Sequence, residues 1–200
     1  MIISCRWVYR EKRVISNLGL TAGIVQECKR KAKFMWKYKG VERPHFAISP
    51  SSDQESVWDY PRPPALLPDN RAVEVRAKDG ALIAQSPTSM RVLETASPPT
   101  FYLPPAAILV DLPIADGASF CEWKGRATYF SYHGVKLAWR YDHPSERFME
   151  IDGWYSFYAS QADCFVNGEQ VQAQQGDFYG GWITPEIVGP FKGDPGTLGW

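Results

Sequence analysis

From residue 72 onward the chain alternates between hydrophobic and polar positions. In Ala72-Val73-Glu74-Val75-Arg76-Ala77, the valines fall on one side and Glu74 and Arg76 on the other, which is the period of a half-buried strand. Asp79-Gly80 is a hairpin turn, and Ala81–Gln85 returns. Met90–Thr95 reads as a third strand. Ser97-Pro98-Pro99-Thr100 breaks the pattern, because proline has no amide to give to a ladder, and Phe101-Tyr102-Leu103 is short and extended. Pro104-Pro105 opens Ala106–Leu112, one or two helical turns with proline at the start. Ser119–Trp123 and Arg126–His133 are strands around Lys124-Gly125, and Gly134 turns the chain into Val135–Tyr141. Asp142–Gly153 is an irregular acidic loop, followed by an aromatic strand, Trp154–Ala159. Asn167-Gly168, between Asp163–Val166 and Glu169–Val171, supplies the two positive φ values of a type I′ hairpin. About eight strands and almost no helix predict a mainly β chain, a small antiparallel β domain.

The ends read differently. Phe178–Trp200 holds six glycines and three prolines, so regular structure is disfavoured there. Trp182, Phe191 and Trp200 are its candidate anchors, and the expectation is an extended Gly/Pro-rich C-terminal tail that clasps the body. Val57-Trp58-Asp59-Tyr60-Pro61-Arg62-Pro63-Pro64 enforces a polyproline-like path, with Trp58 and Tyr60 docking it. Residues 36–56 have linker composition. Residues 1–34 are basic and aperiodic. They suit an over-extended start with Met35 as initiator, a disordered or targeting tail, or a weak nucleic-acid arm at Lys29–Lys33. The organisation expected is an extension and linker over 1–55 and one domain over 56–200. Its core spans about 70–160 and its clasp 161–200.

Composition sharpens this picture at two points. The first forty residues carry ten of the 22 Lys/Arg and two of the 22 Asp/Glu, so about +8 there balances about −8 in the remainder. A net-acidic body is a poor nucleic-acid binder. Cys5, Cys28, Cys121 and Cys164 include no CxxC pair, which argues against a disulfide scaffold and a four-cysteine zinc site and for a reducing, cytoplasmic setting. No apolar run reaches the roughly 18 residues of a membrane span, and no secretory leader is visible.

Five motifs in order carry a resemblance: the Val57–Pro64 run, Arg91–Pro105, Cys121-Glu122-Trp123-Lys124-Gly125, Ala138-Trp139 with Tyr141, and the Phe178–Trp200 tail. Over residues 56–200 the chain resembles the family known as domain of unknown function 427. Shorter relatives correspond to about residues 70–160, so the proline motif and the tail mark a longer subfamily. The resemblance implies a compact β-tent domain, like that of methionine sulfoxide reductase B-type folds. This chain lacks the paired zinc cysteines of those folds, so no metal or other cofactor is carried over. A nucleotidyltransferase-type label is also associated with the family. No glycine-rich phosphate loop followed by paired aspartates supports it here.

Candidate chemistry centres on Cys121, on a strand end three residues from Lys124. A nearby ammonium favours a reactive thiolate, although free cysteine is more often core. Lys124 is either solvated or bound to an anionic ligand. Glu94 sits inside an apolar strand, outward and solvated or inward and paired with Lys124 or Arg91, where it is a general-base candidate. Tyr102, Trp123, Trp139 and Tyr129 are candidate ligand contacts, with core as the commoner role for such aromatics. His45, His133 and His143 share no motif spacing with carboxylates, so neither a zinc site nor a Ser-His-Asp arrangement is expected. Two functions from different classes remain. One is a pocket near the Cys121–Gly125 turn for an unknown small polar metabolite, with or without catalysis. The other is a non-catalytic interaction module that contacts a partner or a second copy as a homo-oligomer.

Overall fold

The structure is a computed structural model that describes residues 37–200 except Asp177 and Leu198. The expectations for residues 1–34 therefore lie outside the described residues. Among the latter, the chain is mainly β. It runs through β1 (Glu55–Ser56), β2 (Ala65–Asp69), β3 (Val73–Ala77), β4 (Leu82–Ser86) and β5 (Ser89–Glu94). There follow β6 (Ser97–Tyr102), β7 (Ile114–Cys121), β8 (Gly125–Tyr132), β9 (Val135–Tyr141) and β10 (Tyr155–Phe157). The last are β11 (Ala162–Val166), β12 (Glu169–Gln170), β13 (Gln172–Ala173), β14 (Trp182–Ile183) and β15 (Ile187–Val188). They form small sheets in the orders β10-β9-β8-β7, β12-β11-β3-β4 and β2-β5-β6, with the pairs β13-β14 and β1-β15. All pair antiparallel except β1 with β15, which is parallel.

Alternation decides which core each side chain enters. In β3 and β11 every second residue is buried, and Val73, Val75, Cys164 and Val166 join one core with Ile83, Phe101, Leu103, Leu137, Phe157 and Trp182. β6, β8 and β9 are buried on both faces. Phe101, Phe130 and Ala138 enter that first core, while their neighbours Tyr102, Tyr129 and Trp139 enter a second, aromatic one with Tyr141, Phe148 and Ile151. A third cluster gathers Val57, Trp58, Tyr60, Leu93, Ala96 and Ile187. Trp58 and Tyr60 thus dock the proline run as expected, and the Trp58 indole donates to Pro190 O at 3.1 Å. Residues of linker composition join this cluster too: Phe46 stacks on Trp200 at 5.0 Å, and Ile48 N donates to Gly189 O.

Four local expectations change. β6 continues through Pro98-Pro99, where a break was expected. It is the outer strand of its sheet, and its register shifts between Val92 and Glu94, so the prolines interrupt no ladder. The helix after Pro104 is a single 3-10 turn, Pro105–Ala107. Ile108 is already extended, and Leu109 N donates instead to Ile83 O. β7 starts as early as Ile114 and ends at Cys121, so Trp123 lies in the turn and not on a strand. Within 142–153 a 3-10 helix, Glu146–Ile151, inserts Phe148 and Ile151 into the aromatic core. The Asn167-Gly168 hairpin forms as read, with φ of 50° and 81°.

Candidate functional site

The β7–β8 hairpin pairs Cys121 with Gly125 and leaves Glu122-Trp123-Lys124 as its turn. Gly125 has φ of 100°, a conformation that favours glycine. It reverses the chain so that Cys121 acts on the Lys124 ammonium. Ser145 Oγ donates to Trp123 O at 2.6 Å and pins the turn. Lys124 ends 8% exposed, with Nζ 5.5 Å from the Tyr141 ring centroid and 5.6 Å from that of Phe148, within cation–π range.

Burial disfavours the Lys124 ammonium, but Tyr102, Cys121 and Glu94 act in the opposite sense and hold its pKa above the ordinary value. No carboxylate among the described residues forms an ion pair with it. Beside it, Tyr102 is 1% exposed. Burial raises its phenol pKa, with Lys124 and then Trp139 opposing. Tyr158 packs against Trp139 at 4.4 Å between centroids. Trp123 packs on the same core, and its indole Nε1 is buried without a hydrogen-bond partner.

Five sequence-selected side chains therefore share the aromatic core (Tyr102, Cys121, Trp123, Tyr129 and Trp139), and Lys124 projects among them. Glu94 acts on Lys124 electrostatically, but its ion pair is with Arg62, at 3.2 Å. Neither of the expected partners takes that role, because Arg91 is engaged by Glu55 and Asp69. Arg62 also donates to Tyr38 O and Thr95 O, both at 2.8 Å.

Three neighbours escaped sequence reading: Arg62, Tyr179 and Lys192. Burial and then Arg62 push the Lys192 ammonium down to about 8, against Glu94 and Glu122. Its Nζ donates to Trp200 O at 3.3 Å and lies 5.6 Å from the Tyr179 ring. The tail brings these groups in. A methyl group at Gly180 would overlap the Trp139 indole, and one at Gly181 would strike Gln174 and Pro98 O. The only signal in the sequence was the pair of adjacent glycines inside an aromatic run. A separate groove of about 310 Å³, lined by Tyr132, His133, Leu137 and Gln161 among others, contains none of these residues.

Among the described residues no group of three or more His, Cys, Asp or Glu could hold a metal ion, and no helix is long and apolar enough to cross a membrane. In comparison with known proteins, the family described as Domain of unknown function (DUF427) matches residues 65–168. That span covers β2 to the Asn167-Gly168 turn and includes the Cys121–Gly125 hairpin. No curated protein matches the chain.

Proposed function

We propose, for a chain that belongs to the family described as Domain of unknown function (DUF427), that it binds a small polar metabolite beside the Cys121–Gly125 turn. The observation that carries this reading is the Lys124 ammonium, buried in an aromatic core without a carboxylate partner among the described residues. Burying an unpaired charge is costly, and a polar ligand offsets that cost when it binds. Tyr102, Trp123, Trp139 and Tyr129 form the walls. For catalysis, Cys121 is the nucleophile, Lys124 stabilises its thiolate or the developing charge, and Glu94, held by Arg62, is the base. The free thiols of Cys121 and Cys164 suit a reducing, cytoplasmic compartment.

Native mass spectrometry of the purified protein tests the reading. A retained small molecule that disappears in Lys124→Met supports it. The bare protein mass for both forms, with no shift in any metabolite screen, overturns it. One observation favours the interaction-module reading. β7 is the outer strand of its sheet and exposes Ile114 (73%) and Phe120 (68%), a row open to pairing with a second copy. Sedimentation velocity distinguishes the two: a dimer that dissociates in Phe120→Lys favours the module, and a monomer removes it.

A further inference from the structure

We propose that Tyr179-Gly180-Gly181 is a strap that lifts off the Trp139 indole to admit the ligand of this site. The inference rests on the binding reading above and adds how the site opens. Tyr102, Lys124 and Trp139 are 1%, 8% and 6% exposed, so a metabolite reaches them only if part of the chain moves. The cover over Trp139 is the tail. The indole packs on Tyr158 at 4.4 Å and on the Tyr102 ring, edge to face, at 6.5 Å between centroids. Gly180 lies directly against its benzenoid edge, where a methyl group would overlap Cη2.

The strap is lightly held, and the element it joins is not. Gly180 and Gly181 put no side chain into the core, so lifting them exposes little apolar surface of their own. Tyr179 is half-buried, with the Lys192 ammonium 5.6 Å from its ring, and Phe178 before it is 62% exposed. The main fastening is Gln174. Its Oε1 accepts from Gly181 N at 3.0 Å, its Nε2 donates to Lys192 O at 2.6 Å, and its backbone N donates to Gly181 O at 3.1 Å. One residue beyond the strap, Trp182 is fully buried, stacks on Phe101 and donates to Phe157 O, and it pairs with Ala173 across β13 and β14. A fixed base beside a lightly braced segment is the arrangement of a hinged cover. Glycine suits both positions: it allows close approach to Trp139 when the strap is down and a wide choice of φ and ψ when it lifts.

Tryptophan alkylation by hydroxynitrobenzyl bromide, read peptide by peptide in the mass spectrum, tests this. Trp139 is reached when the strap is up, and Trp182 only when the fold itself opens. We expect native protein to label at Trp139 while Trp182 stays unlabelled. Gln174→Ala removes the brace and should speed Trp139 labelling about tenfold, the scale of one hydrogen bond, with Trp182 unchanged. Gly180→Ala, whose methyl group holds the strap off the indole, should do the same without touching Gln174, so the test stands if either variant fails to fold. Labelling of both tryptophans at one rate, a folded variant that speeds both together, or a Trp139 that stays unlabelled in the folded variants each overturns the inference. The binding reading fails separately. Fast Trp139 labelling with no molecule retained in the native mass spectrum removes the metabolite and leaves the strap. A retained molecule with Trp139 unlabelled removes the strap alone.

Discussion

At the scale of single residues, ion pairs and burial set the sign of the pH response. Asp69 is 6% exposed and accepts from Arg71 and Arg91. Burial raises its pKa, but the Arg71 hydrogen bonds and the two guanidinium charges outweigh this and leave it below 3.8. A depressed carboxylate contributes stability that is present above its unfolded value and lost as pH falls through the folded one. Asp69→Asn removes one carboxylate from two arginines that keep Glu186 and Glu55 as partners, and is expected to cost roughly 2 kcal/mol at pH 7. The cost should shrink towards pH 2 in urea titrations of variant and parent. Lys192 gives a slope of the same sign in a higher pH window, but from a different cause, the burial of its ammonium. Its folded value of about 8 lies below the ordinary 10.5, so between about pH 8 and 10 the unfolded chain binds the extra proton and stability rises with pH. Lys192→Met should flatten that rise in thermal melts across this window. Lys124 was legible as a candidate because it stands by a glycine turn three residues from a cysteine. Its burial was not legible, because it depends on a turn of three residues and not two. Arg62 and Lys192 were invisible, since no local pattern announces an ion pair of Arg62 with Glu94 some thirty residues on, or a charge effect of Glu94 on Lys192 nearly a hundred residues away.

At the scale of elements, period-two alternation and turn chemistry carried most of the prediction. β3, β4, β5, β9, β11 and the Asp79-Gly80 and Asn167-Gly168 hairpins followed from them. What failed was the reading of proline. Pro98-Pro99 stays inside β6 because that strand is the outer member of its sheet and shifts register there, a tertiary fact that composition does not contain. The Tyr179–Gly181 element is a second case, since its glycines are required by contact and not by dihedral angle. Gly180→Ala drives a methyl group into Trp139 and is expected to cost roughly 1–3 kcal/mol. The check is the denaturation midpoint together with the near-ultraviolet tryptophan signal. Gly80→Ala meets no atom within 4 Å but sits at φ of 89°. Its smaller loss, about 1 kcal/mol, separates strain from collision.

At the scale of the whole molecule, distant segments share single clusters. Trp182 is fully buried, stacks on Phe101 at 4.9 Å and donates to Phe157 O at 2.8 Å, so the first core is incomplete without residues beyond 171. Truncation after Val171 should lower the melting temperature and increase binding of a hydrophobic dye. If the shortened protein melts normally but loses a retained ligand, the tail belongs to the site and not to the fold. The parallel pairing of Glu55–Ser56 with Ile187–Val188 has a consequence for biosynthesis. The strand that opens this pairing leaves the ribosome well over a hundred residues before its partner, and closing a loop that long is slow. Until then Trp58 lacks the Pro190 carbonyl that its indole binds, and the nascent chain carries an aromatic, strand-forming surface that Tyr38 and Phe46 cover only in part. A chain released early is therefore the form of this protein that a chaperone or protease meets first.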